Sequence, residues 1–154
     1  MRSVLALLTL AIAVGATADV NAGSADNVRT AERVFLEGMA SGSFAQLQDI
    51  YAPGFVAHAA LFNYTLQQDM ASTASWHAAM PDLSVTVKRA VADRDHVALH
   101  WKAVGTNTVA AGGLPGKGER MGIEGMTFFR FVSGRIAEEW SVLDVAPISK
   151  LLEQ

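Results

Sequence analysis

The fold turns on one stretch: Pro81-Asp82-Leu83-Ser84-Val85-Thr86-Val87-Lys88, the turn Asp93-Arg94-Asp95, and Val97-Ala98-Leu99-His100-Trp101-Lys102-Ala103. Leu83, Val85 and Val87 alternate with polar residues, and so do Leu99 and Trp101, which is the period of two of half-buried strands. Upstream the period is 3.6. Val28, Ala31, Val34, Phe35 and Met39 form one apolar stripe with Arg29, Glu32, Arg33 and Glu37 between them, which predicts an amphipathic helix from Asp26 that ends at Ser41-Gly42. Ser43 with Gln46 reads as a capping box for a short second helix stopped by Pro53, and Phe55 to Ala59 as a brief strand. Thr65 with Gln68 opens a helix through Met70, Trp76 and Met80 that Pro81 closes.

Downstream of the turn the strands are long. A Gly/Pro-rich segment, Ala111 to Gly118, leads to a third strand from about Met121 to Val132, and Ser133-Gly134 turns into a fourth from Arg135 to about Asp144. Pro147 starts a terminal helix. Helices followed by long antiparallel strands predict an α+β domain whose curved antiparallel sheet twists into a half-open cone packed on the N-terminal helices. A cone has a concave side, and the residues that face it can line a pocket for a small hydrophobic molecule. The glycines of 112–118 suit a loop at its mouth.

Composition narrows the function. The chain has 154 residues, a net charge of −3 and interspersed acids and bases, so it presents no basic stripe for nucleic acid. It has no cysteine, which excludes disulfides, thiolate metal sites and cysteine nucleophiles. Its four histidines lack ligand spacing, so no metal is expected. Arg2, the apolar run Val4–Ala16 and the small-x-small pattern Ala16-Thr17-Ala18 form the anatomy of a signal peptide. The run is shorter than the roughly 20 residues of a spanning helix, so cleavage is expected rather than a stable membrane anchor. The expected division is 1–18 signal peptide, 19–25 flexible leader and 26–154 domain, with Gly23-Ser24-Ala25 a second cleavage candidate and a secreted or periplasmic product.

Met80-Pro81-Asp82-Leu83, Trp101, Gly105-Thr106-Asn107-Thr108, Leu114-Pro115, Phe128-Phe129-Arg130, Gly134-Arg135-Ile136 and Glu138-Glu139-Trp140 together carry a resemblance. In that order and spacing, from Asp26 to Gln154, the chain resembles the SnoaL-like polyketide cyclase and ester cyclase family. The resemblance implies a cone of the nuclear-transport-factor and ketosteroid-isomerase type, a homodimer through the outer sheet face, and cofactor-free ring closure in which a pocket carboxylate moves protons. The family places His-Trp-Asp on the last strand, with a His or Asp facing it. Here those positions read Glu139, Trp140 and Ser141, facing Thr127. The usual aspartate is absent, and a serine hydroxyl accepts no proton near neutral pH without a base beside it.

Glu139 is therefore the candidate catalytic base. A three-residue turn at Val132-Ser133-Gly134 would set Thr127 opposite Glu139 and place both on one face with Phe129 and Ser141; a two-residue turn would swap the faces. His58, Trp76, Met80, Trp101, Thr127, Phe129 and Ser141 are the candidate substrate-binding residues. His77 and His100 read as exposed or hydrogen-bonded, and His96 as a turn residue. Three functions follow: a cyclase or isomerase of a small carbonyl compound, an exported binding protein that kept the pocket and lost the acid, or a domain plugged by its own side chains.

Overall fold

In the computed structural model, which describes residues 16–153, the predicted change of period falls where the chain leaves its helices for its sheet. Helix α1 spans Ala16–Arg33 and continues without a break into a π-helical turn, Val34–Met39. The signal peptide read at 1–18 lies outside the described residues except for its last three, and residues 19–25, read as a leader, are helical in α1. The wider π turn, hydrogen-bonded i to i+5, turns Val34, Phe35, Gly38 and Met39 together into the interior. Gly38 is where the chain comes closest, since a Cβ there would lie 2.3 Å from the Phe44 ring.

The second predicted helix does not form. Ser43 makes no cap with Gln46; its N–H goes to Ser41 Oγ, and only Gln48–Ile50 makes a single 3-10 turn. Strand β1, Tyr51–His58, begins before Pro53 instead of after it. Pro53 is tolerated because the pairing of β1 with its neighbour is interrupted between Tyr51 and Val56, where no ladder N–H is required of it. Short β2, Asn63–Tyr64, precedes α2, Leu66–Ala79, whose capping box is formed as predicted: Thr65 N–H donates to Gln68 Oε1 and Gln68 N–H to Thr65 Oγ1.

The long strands are β3, Ser84–Ala92, and β4, His96–Asn107, followed by a two-rung hairpin, β5, Ala110–Ala111, with β6, Leu114–Pro115. Then come β7, Glu119–Val132, β8, Arg135–Leu143, and helix α3, Ala146–Leu152. Six strands make one curved, unclosed sheet in the order β2-β1-β8-β7-β4-β3. Every pair in it is antiparallel except β1 with β8, which is parallel because the chain crosses from β1 through the helical layer before returning. The glycine segment expected at a pocket mouth is instead the β5–β6 turn, with Gly112 and Gly113 at φ 58° and 80°, packed on Ser75 of α2.

Two polar side chains fasten the helices to the sheet. Asp82, in the joint after α2, accepts from Thr106 N–H at 2.6 Å and from the Thr106 hydroxyl at 2.8 Å. Buried Asn107 donates to the carbonyls of Ala79 and Val109 and accepts from Gly116 N–H. The core fills the concave side, where Phe35 meets Trp101 with centroids 5.0 Å apart and Phe129 edge-on at 6.3 Å.

The β7–β8 connection corrects the predicted turn while keeping its consequence. It is a two-residue turn, Ser133 and Gly134 both at positive φ, pairing Val132 with Arg135 and Phe131 with Ile136. That register alone would send Glu139 to the outer face. Between Phe131 and Arg130 the register slips by one, leaving Ala137 unpaired, so Phe129 pairs with Glu139 and Thr127 with Ser141. All four residues share the concave face, shifted by one rung from the predicted pairing.

Gly125 pairs with Trp101 across β4 and β7, and a Cβ there would lie 2.6 Å from the indole and 2.9 Å from Leu143. The indole lies flat only because this position is bare. Gly125→Ala should destabilise the chain by about 1–3 kcal/mol through overpacking, read as a lower urea midpoint at unchanged slope.

Candidate active site

Between the sheet and α2 lies a cavity of about 270 Å³, with apolar walls from Val34, Phe35, Met39, Trp76, Trp101 and Ile123. The helical wall comes from Asp69, Ser72, Thr73 and Trp76, spaced i, i+3, i+4 and i+7, which is one face of α2. The sheet wall supplies Glu139 and Ser141, two residues apart on β8 and so on the same side.

A hydrogen-bond chain runs along the sheet wall. Trp101 Nε1–H, which can only donate, gives to Thr127 Oγ1 at 3.0 Å. Thr127 Oγ1 lies 2.7 Å from Ser141 Oγ, and Ser141 donates to Glu139 Oε1 at 2.9 Å. Both ends set the direction: the hydroxyl protons all point towards the carboxylate. Its other oxygen, Oε2, is buried without a hydrogen-bond partner, and so is the Tyr51 hydroxyl.

Glu139 is only 9% exposed. Burial, with the negative charge of Asp69 beside it, pushes its carboxyl up from the ordinary 4.5 to about 8, against the Ser141 hydrogen bond that favours the charged form. Burial likewise raises Asp69 to about 6, and burial followed by the charges of Glu139 and Asp69 pushes the Tyr51 phenol up. Among the described residues neither carboxylate makes an ion pair, and the cavity lining holds no lysine or arginine. Nor do three His, Asp or Glu side chains gather there into a group that could hold a metal ion.

The candidate residues divide. Glu139, Ser141, Trp76 and Trp101 line the cavity. Thr127 does not line it; 1% exposed, it stands behind Ser141 as a link of the chain. Phe129 is fully buried under Phe35, and Met80 is buried against Gly105 at the end of α2, so both belong to the packing and not to a binding surface. His58 stands at the rim but its ring is committed elsewhere: Nε2 lies 2.9 Å from Glu138 Oε2 and the ring stacks on Trp140 at 4.5 Å and 9°. That same Glu138 takes Arg130, which with His58 holds it below the usual carboxylate range. Of the other histidines, His96 lies 3.1 Å from Asp93 in the β3–β4 turn and His100 lies 3.7 Å from Glu124.

Asp69, Tyr51, Tyr64, Ser72 and Thr73 were not expected at the site. Asp69 is an acid in the first turn of α2, where the helix N-terminus already favours one, so its place on the same stripe as Ser72, Thr73 and Trp76 carried no distinct signal.

The SnoaL-like polyketide cyclase family model matches residues 29–152. No curated protein matches the chain. Among solved structures it is similar to AclR, a proposed hydroxylase from Streptomyces galilaeus, at 20% identity and TM-score 0.75, covering 85% of this chain and 98% of that one. It is similar to a proposed SnoaL-like polyketide cyclase from Jannaschia sp. CCS1 at 22% identity and TM-score 0.74, covering 83% and 92%. A third is IdmH, a proposed polyketide cyclase from Streptomyces antibioticus, at 23% identity and TM-score 0.70, covering 83% and 99%. At these identities the likeness is one of fold, and the curved unclosed sheet with its helices is the cone these proteins share. Because the family model spans both walls of the cavity and all but the ends of the chain, the protein belongs to the SnoaL-like polyketide cyclase family.

Proposed function

We propose that the chain is a cofactor-free enzyme that moves a proton next to a carbonyl, as a cyclase or isomerase does, with Glu139 as its general acid/base. One observation carries this reading: a carboxyl held in an apolar cavity with one oxygen anchored by Ser141 and the other left without a partner. A group that merely stabilised the fold would have both oxygens satisfied. Desolvation brings its proton affinity into the range in which it can be both given and taken near neutral pH.

Size narrows the substrate. An apolar cavity of about 150 Å³ holds benzene, so 270 Å³ suits a molecule of one or two rings, with its carbonyl near Glu139. Exchange of the α-protons of 2-tetralone for deuterium, followed by NMR, tests this. The full chain should exchange them faster than buffer, and Glu139→Gln should lower the rate by about 10²–10⁴-fold. Binding of 2-tetralone with no exchange above buffer would favour a binding protein, the reading that Ser141 in place of the family aspartate supports.

The same variant has a signature in stability. Glu139 holds its proton more tightly folded than unfolded, so its burial costs nothing below about pH 4.5 and progressively more as pH rises to about 8. Glu139→Gln should therefore stabilise the chain relative to the parent at pH 9 by on the order of a few kcal/mol, and much less at pH 5, read as a thermal midpoint raised at the higher pH only.

Two further features complete the proposal. Export rests on the sequence 1–18, and an intact mass of the secreted product lacking those residues would establish it; full-length retention in the cell would refute it. A homodimer rests on the outer face of β7 and β8, where Met126, Phe128, Trp140 and Val142 are exposed side by side. Sedimentation velocity should show a dimer that Val142→Glu converts to monomer; a monomeric parent chain would refute it.

A further inference from the structure

The acid/base reading uses one carboxyl, yet two line the cavity. Asp69 comes from the helical wall and Glu139 from the sheet wall. Among the described residues no hydrogen bond or ion pair engages the Asp69 carboxylate, although hydroxyl donors stand near it on the same face of α2, at Ser72 and Thr73. No cation of the lining compensates either acid. The other titratable groups at hand are Tyr51 of β1, Tyr64 of β2 and His58, whose ring is turned to Glu138. Two acids on facing walls of an apolar space, one with a buried oxygen that bonds to nothing, are costly to keep unless the space between them is used.

We propose that Asp69 and Glu139 work as a base and acid pair on one substrate, Asp69 taking the proton from the carbon beside the carbonyl while Glu139 gives its proton to the carbonyl oxygen. The inference rests on the acid/base reading above and divides its labour. Asp69 is half-buried and Glu139 almost wholly buried, so the single negative charge that the cavity tolerates settles on Asp69. The order of their proton affinities, about 6 and about 8, agrees with that placement across neutral pH. The hydrogen-bond chain then decides which oxygen of Glu139 carries the proton. Because Ser141 donates to Oε1, the acidic proton resides on Oε2, the oxygen with no other partner.

The step balances without a co-reactant. The C–H electron pair becomes the enol double bond, the carbonyl π pair takes the Glu139 proton, and the site holds an enol, a protonated Asp69 and an ionised Glu139. Return of the Asp69 proton to a different carbon, with Glu139 recovering its own from the enol oxygen, gives an isomer and restores the pair. If the enol carbon attacks a second carbonyl of the same molecule instead, a ring closes: the enol double bond forms the new C–C bond, the enol oxygen returns its proton to Glu139 as its carbonyl re-forms, and the new alkoxide takes the proton from Asp69.

The test uses the full chain with ¹³C-labelled glutamate and aspartate carboxyls, and 2-tetralone as probe. Asp69→Asn should lower the Glu139 titration midpoint by about one pH unit, by removing the neighbouring negative charge. It should also cut deuterium exchange by about 10²-fold and abolish the fall in rate on the acid side of the pH profile, while 2-tetralone binds as before. Asp69→Glu, which keeps the charge, should restore part of both. A Glu139 midpoint that does not move in Asp69→Asn overturns the assignment, and so does exchange that survives unchanged. If the parent chain exchanges nothing, the enzyme reading falls and the pair with it; if Glu139→Gln is inactive while Asp69→Asn is fully active, only the pair falls.

Discussion

One unpaired residue governs which side of the sheet carries Glu139. In β8 the turn at Ser133-Gly134 sets a register that would point Glu139, Ser141 and Leu143 outward and Glu138, Trp140 and Val142 inward. Ala137 reverses that, because a bulge adds one residue to one strand and so flips every side chain beyond it. The consequence reaches both faces at once. Glu139 and Ser141 enter the cavity, while Glu138 meets Arg130 and His58 on the other side, and Trp140 stacks under His58 and beside Phe128. Closing the bulge by one residue would exchange an ion-paired glutamate for an unpaired one inside, and put an indole where the carboxyl stands.

With the parity set, the electrostatics of the cavity follow from what is missing. A carboxylate brought out of water is normally offset by a cation or by several N–H donors. Glu139 has one hydroxyl on one oxygen, and the charge that acts on it is that of another acid, Asp69, so burial and that charge together favour the protonated form near neutral pH. The neighbouring Glu138, on the solvent side of the same strand, has Arg130 and His58 and is held in the charged form. Consecutive glutamates on one strand thus take opposite protonation states, and the difference is wholly one of environment.

Much of this was legible beforehand because periodicity reports burial. The alternation in β3 and β4 marked the sheet, and Thr65 with Gln68 marked the start of α2 to the residue. What failed was local chemistry overridden by tertiary context. Ser43 and Gln46 have the capping-box pattern, yet the chain must turn early into β1 to pair with β8, so the helix never extends. Met80 satisfied the helical stripe but sits past the cavity's end, under Gly105, because a stripe tells which face is buried and not what it is buried against. His58 has the opposite problem: its place in the chain was right and its ring direction was set by Glu138, eighty residues away. Asp69 read as an ordinary acid in the first turn of a helix, and its place opposite Glu139 required the far wall of the cavity.

On the proposed acid/base reading, the serine at the position where the family resemblance leads one to expect an aspartate is a displacement of the acid rather than its loss. Glu139 and Ser141 are two residues apart on one strand, about 6.6 Å along it and on the same face. A glutamate has one methylene more than an aspartate, which shortens part of that interval when it leans along the strand. Ser141 cannot accept a proton, but it donates one hydrogen bond to Glu139 and receives another from Thr127, which Trp101 in turn anchors. An aspartate at 141 would repel Glu139 and leave the Thr127 and Trp101 donors pointing at the wrong group. Serine at that position is therefore what permits the carboxyl to stand at 139, with one oxygen fixed and the other free.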